Sequence, residues 1–131
     1  MQKAVLVVDD DLFFLKLISG LLEQQGYSVK TATSWMDFTR TFFSMAVAPD
    51  IVLLDINLGG IMSGDKILSA IRKEKHFFAL SKKPKLVLIS SCPEDEIAAL
   101  ASEVGADGYI LKDSLHIAGG AAFINKIRSF A

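Results

Sequence analysis

Four short apolar runs in this chain each end in a group that could do chemistry. Asp9-Asp10 follows Ala4–Val8, Asp55 follows Ile51–Leu54, Ser90 follows Leu86–Ile89, and Lys112 follows Tyr109–Leu111. Three carboxylates brought together repel one another, and at least one would then hold its proton above the usual range. A hard divalent cation with oxygen ligands removes that conflict, and Mg2+ is the natural candidate. Taken singly, these residues have plain structural readings. Aspartate is common at turns and caps, and Asp11 reads as a helix cap and no more. The set as a whole is better explained by a site than by chance placement.

The elements that must position these groups follow from the pattern of the chain. Continuous apolar runs of this length suit strands buried on both faces of a parallel sheet. A fifth candidate, Tyr27–Thr33, alternates apolar with polar and reads as a half-exposed edge strand. Between the runs lie segments with helical spacing. Asp11 caps the first, which buries Leu15, Ile18, Leu21 and Leu22 and ends at Gly26. Ser34 caps the second, from Trp35 to about Ala46. The third opens at Ser63 or Gly64 and repeats Ile67, Leu68 and Ile71. The fourth runs from Pro93 to Val104, with Glu94, Asp95 and Glu96 in its first turn. The last is expected over Leu115–Ser129, with Gly119 and Gly120 weakening its start.

Five strands alternating with five helices predict a single doubly wound (βα)5 sandwich, because right-handed crossovers place helices on both faces. Ligands of such open sheets bind at the carboxyl edge. If the strand order is the flavodoxin-like 2-1-3-4-5, strand 1 neighbours strand 3. Adjacent strands lie about 4.8 Å apart, so Asp9, Asp10 and Asp55 would crowd into one pocket. Ser90 would flank it, and Lys112, about 10 Å away along the sheet, would lean inward on its long side chain.

Bulk properties narrow the field. The chain has 131 residues, 51% hydrophobic and 22% charged, which fits one domain over residues 1–131 with a buried core. Its 14 Lys+Arg against 15 Asp+Glu give a formal charge of −1 and no electrostatic footprint for nucleic acid or an anionic membrane. A single cysteine, Cys92, excludes an intrachain disulfide. No signal peptide pattern and no membrane-length apolar run is present, so the expected compartment is the cytoplasm.

The chain resembles response-regulator receiver domains from Lys3 to about Phe130. The resemblance is carried by Val7-Val8-Asp9-Asp10, Leu53-Leu54-Asp55-Ile56-Asn57-Leu58, Leu88-Ile89-Ser90-Ser91 and Gly105-Ala106-Asp107-Gly108-Tyr109-Ile110-Leu111-Lys112. Each motif alone is weak; in this order and spacing they are specific. The assumed strand order is that of the family and carries no independent weight. The resemblance implies that Asp55 is a phosphoacceptor, a carboxylate nucleophile attacking a phosphohistidine on a partner histidine kinase or phosphotransfer protein. It implies Mg2+ bound by Asp10, Asp55 and the backbone carbonyl of Asn57, with Asp9 acting mostly through water. Ser90 would hydrogen-bond a phosphoryl oxygen and Lys112 would pair with another. Ser90 and Tyr109 would form the switch, altering the surface made by the fourth helix, fifth strand and fifth helix. Such a domain catalyses only its own phosphorylation and dephosphorylation. Its output passes to a downstream protein, or to an output domain outside this chain.

The sequence departs from the family in two places. Asp113 stands where the family has Pro after the lysine, so the expected bond is trans and the reach of Lys112 is in question. The loop Leu58-Gly59-Gly60-Ile61-Met62-Ser63-Gly64 lacks the usual Pro and carries one extra residue. Cys92, two positions past Ser90, is read as a bystander thiol, and His76 and His116 as surface residues. Phe77 and Phe78 are read as covering the core edge. Two other functions compete. A pseudo-receiver would act as a binding module without phosphorylation, and only Asp113 and the altered loop argue for it. An aspartyl phosphohydrolase would need a second Asp two positions after the nucleophile, where this chain has Asn57.

Overall fold

The computed structural model describes residues 2–58, 64–73 and 83–130. Five strands, β1 (Ala4–Val8), β2 (Ser28–Ala32), β3 (Ile51–Asp55), β4 (Lys85–Ser90) and β5 (Gly108–Leu111), form one parallel sheet in the order β2-β1-β3-β4-β5. Among the described residues, five α-helices connect and follow them: α1 (Leu12–Gln24), α2 (Trp35–Ser44), α3 (Gly64–Lys73), α4 (Glu94–Val104) and α5 (Ala121–Phe130). The expected doubly wound architecture and strand order are those observed. The segment 59–63, His76, Phe77 and Phe78, and the Ile67 side chain lie outside the described residues.

Strand side chains point alternately to opposite faces, so a strand that is apolar at every position needs cover on both. One face carries Val5, Val7, Ile51, Leu53, Val87 and Ile89 against α1 and α5, through Phe14, Leu15, Ile18, Leu22, Phe123 and Ile127. The other carries Leu6, Val8, Val52, Leu54, Leu86 and Leu88 against Phe38 and Phe42 of α2, Leu68 and Ile71 of α3, and Ile97 and Ala101 of α4. β2 is an edge strand, exposed at Ser28, Lys30 and Thr31, as its alternating sequence predicts.

Local signals explain most boundaries. The Asp11 side chain accepts from the amides of Phe13 and Phe14 at 3.0 and 3.2 Å and fixes the start of α1. Ser34 caps α2 through the Asp37 amide at 3.1 Å. Gly105, at φ 75°, closes α4 in the left-handed conformation.

Three expectations need correction. Leu21 is only partly buried, and Phe14 joins Leu15, Ile18 and Leu22 in the buried stripe of α1. Helix α2 stops at Ser44 because Met45 turns to extended backbone. The last helix starts at Ala121, six residues later than Leu115. Lys112–His116 and Ala118–Gly120 form short 3-10 turns instead. Ala118, Gly119 and Gly120 have φ of 52°, 64° and 92°, and a right-handed helix cannot run through them. A Cβ at Gly120 would lie 2.6 Å from Leu21 Cδ2, so the turn lets α5 settle closely on α1.

Candidate functional site

Register brings the acidic groups together. Val8, the last residue of β1, pairs with Leu54 of β3, so Asp9 and Asp55 leave the sheet side by side. The Asp9 amide donates to Ala32 O at 3.0 Å, which holds that residue against the edge strand. Asp9 and Asp55 are buried and Asp10 is exposed, and one carboxylate oxygen from each lies within 4.8 Å of the others. This is the pocket expected from the sequence.

Backbone donors orient the two buried carboxylates. The Asp11 amide donates to Asp9 Oδ1 at 2.9 Å, and the Asn57 amide donates to Asp55 Oδ1 at 3.0 Å. Each is a tight local turn just past a strand end, and each leaves the second oxygen turned toward the pocket. There Lys112 Nζ lies 2.6 Å from Asp9 Oδ2 and 3.5 Å from Asp55 Oδ2. Lys112 therefore reaches the pocket despite Asp113, and no cis peptide occurs among the described residues. The face of the Phe14 ring lies on another side of the same ammonium, with its centroid 4.6 Å from Nζ.

Burial pushes the Asp55 carboxyl up to about 6 from the ordinary 3.8. The Asn57 amide works against that shift, the Asp9 charge adds to it, and the Lys112 charge opposes it. Burial also pulls the Lys112 ammonium down, but the carboxylates of Asp9 and Asp55 outweigh it and leave its pKa above the ordinary value. A buried carboxyl pushed up in part by a neighbouring carboxylate is the expected signature of acidic groups gathered without enough countercharge. The donor set is all oxygen, with an exposed carboxylate at the mouth, and suits a hard divalent cation.

Ser90 is fully buried at the end of β4, and its Oγ accepts from the Cys92 amide at 3.0 Å. It sits at the same sheet edge, one strand beyond Asp55, with its hydroxyl tied into its own loop. Cys92 is half-buried against the core on the α4 side, and His116 is exposed as expected. Tyr109 lies farther out on β5, where its hydroxyl donates to Glu94 Oε2 of α4 at 2.8 Å. That hydrogen bond is the main reason its phenol is pushed up from 10.0. Lys126 of α5 lies 5.7 Å from the Tyr109 ring centroid, so one side chain joins α4, β5 and α5. The Phe14–Lys112 and Glu94–Tyr109 contacts were not foreseen. Both link residues far apart in the chain, and neither has a local sequence signal.

The sequence matches the family model of the response regulator receiver domain over residues 5–117. It is 34% identical over 112 residues to the chemotaxis protein CheY of Treponema pallidum (strain Nichols), covering 82% of this chain and 71% of that protein. It is 29% identical over 112 residues to the alkaline phosphatase synthesis transcriptional regulatory protein PhoP of Bacillus subtilis (strain 168), covering 86% of this chain but 43% of PhoP. Among solved structures, the BeF3-activated DrrB receiver domain is 28% identical with a TM-score of 0.75, covering 99% of this chain and 97% of that one. The chemotaxis response regulator CheY4 of Vibrio cholerae, 19% identical, superposes with a TM-score of 0.80 over the whole of both chains, a likeness of fold alone.

Proposed function

The chain belongs to the response regulator receiver domain family, a family of signalling modules, and from that premise we propose that Asp55 is its phosphoacceptor. The observation that carries this reading is the convergence of Asp9, Asp10 and Asp55, with the Lys112 ammonium against two of them. Membership of this family implies a histidine kinase as partner. A phosphotransfer protein is the other source of a phosphohistidine.

In this reading an Asp55 Oδ attacks the phosphorus of the phosphohistidine. The new O–P bond forms an acyl phosphate as the P–N bond breaks, and the electron pair stays on the departing imidazole. Asp10, Asp55 and the backbone carbonyl of Asn57 would hold Mg2+, with Asp9 acting mostly through water. When bound, the ion supplies positive charge to the transferring oxygens. Lys112 moves from its carboxylate partners to a phosphoryl oxygen, and the Ser90 hydroxyl donates to another. Pulling Ser90 inward changes the space beside Tyr109, whose rotamer then biases the surface of α4, β5 and α5 between two populated states.

The signal would pass to a protein bound at that surface, or to an output domain outside this chain. The single receiver domain is assigned to residues 1–131 and to the cytoplasm; no described helix is long and apolar enough to cross a membrane. The pseudo-receiver reading drew on Asp113 and on the altered loop; the reach of Lys112 into the pocket removes the first support, and loop residues 59–63 lie outside the described residues.

The test is incubation with a small phosphodonor such as acetyl phosphate and Mg2+, followed by intact mass. The expected result is a gain of one phosphoryl group, absent after chelation of the metal and absent in Asp55→Asn. A native protein that stays unlabelled under conditions that label another receiver would favour the binding-module reading.

A further inference from the structure

We propose that Phe14 is a positioning residue for Lys112, its ring face holding the ammonium at the acidic pocket; this rests on the phosphoacceptor reading of Asp55. Lysine has a flexible stem of four carbons, and nothing in that stem directs its end to one place. Here its side chain is only 17% exposed, so the ammonium has given up much of its water. Two carboxylates replace part of that water, at 2.6 and 3.5 Å. The third neighbour is the Phe14 ring, 4.6 Å from Nζ to centroid, within the range in which the negative face of a ring attracts a cation.

The ring itself is fixed. Phe14 is buried in the core and packs edge-on against Phe123 of α5, with centroids 6.5 Å apart and planes at 63°. Its backbone amide donates to the Asp11 cap, and the Asp11 amide in turn donates to Asp9 Oδ1. Asp9, the cap and the ring are thus one short, hydrogen-bonded piece of chain that offers Lys112 a carboxylate and an aromatic face together. A Leu at this position would fill the core without supplying the face. When Lys112 leaves Asp9 for a phosphoryl oxygen, the ring keeps it within reach of the pocket.

Fluorinated phenylalanines placed at position 14 alone provide the test, because fluorine drains the negative ring face while changing shape little. The rate of Asp55 labelling by acetyl phosphate with Mg2+ is expected to fall stepwise with fluorine number, by about two- to five-fold in all. Phe14→Leu should be at least as slow as the most fluorinated ring. A flat series in a protein that is labelled normally overturns the positioning role and leaves the phosphoacceptor reading standing. If the unmodified protein is not labelled at all, it is the phosphoacceptor reading that falls. A second readout needs no turnover. The Lys112 ammonium protons should resonate upfield from the ring current, assigned by their loss in Lys112→Arg, and should move to the ordinary position in Phe14→Leu. Unshifted protons in the unmodified protein overturn the inference.

Discussion

Asp55 shows how one buried side chain couples the site to stability. Its carboxyl titrates near 6 in the folded chain and near the ordinary 3.8 when unfolded. Between those values the folded state binds more protons, so stability from this group is full below about 4 and is lost as pH rises through about 6. The gap corresponds to roughly 3 kcal/mol as an upper figure. Asp55→Asn lacks this slope. Without metal, the variant should therefore be more stable than the parent at pH 7–8, by roughly 1–3 kcal/mol, with the difference fading below about pH 4. Urea unfolding from pH 4 to 8 checks this, and parallel pH profiles would contradict it. The carboxylates and Lys112 were legible in the sequence because each follows a buried run, where a polar residue is conspicuous. Phe14 was not, because in α1 it is one apolar residue among many, and only the fold brings Lys112 over its ring.

At the scale of elements, strand positions and helix starts follow from local chemistry. Buried Val, Ile and Leu runs became strands to within about a residue, and Asp11 and Ser34 capped helices as their types suggest. The beginning of α5 did not follow. Its segment has helical apolar spacing from Leu115 onward, but the Ala118–Gly120 turn is left-handed; the two glycines marked a weak start, while the close approach of Gly120 to Leu21 of α1, which sets where the helix begins, has no local signal. This gives a graded expectation. Gly119→Ala should cost about 1 kcal/mol for its φ of 64°, with open space around the new methyl. Gly120→Ala should cost about 2 kcal/mol, since its φ of 92° is joined by the contact with Leu21. Equal urea midpoints for both variants and the parent would show that the turn adapts freely.

At the scale of the molecule, the sheet order β2-β1-β3-β4-β5 makes the site, because it seats β1 beside β3 and so joins two acidic segments far apart in sequence. That order was read by family resemblance rather than from periodicity, which fixes the elements but not their neighbours. The chain spans less than half the length of PhoP, and what lies downstream in such a relative is a property of that protein. The convergence of the two segments on one cation is open to direct measurement. Mn2+ can stand in for Mg2+ at an oxygen-ligand site, and its unpaired electrons broaden nearby amide resonances. On titration into isotope-labelled protein, the amides of Asp9, Asp10, Asp55, Ile56 and Asn57 should broaden first and together. Broadening that begins elsewhere, or that reaches the Asp9 segment and the Asp55 segment at separate concentrations, would contradict a shared metal site.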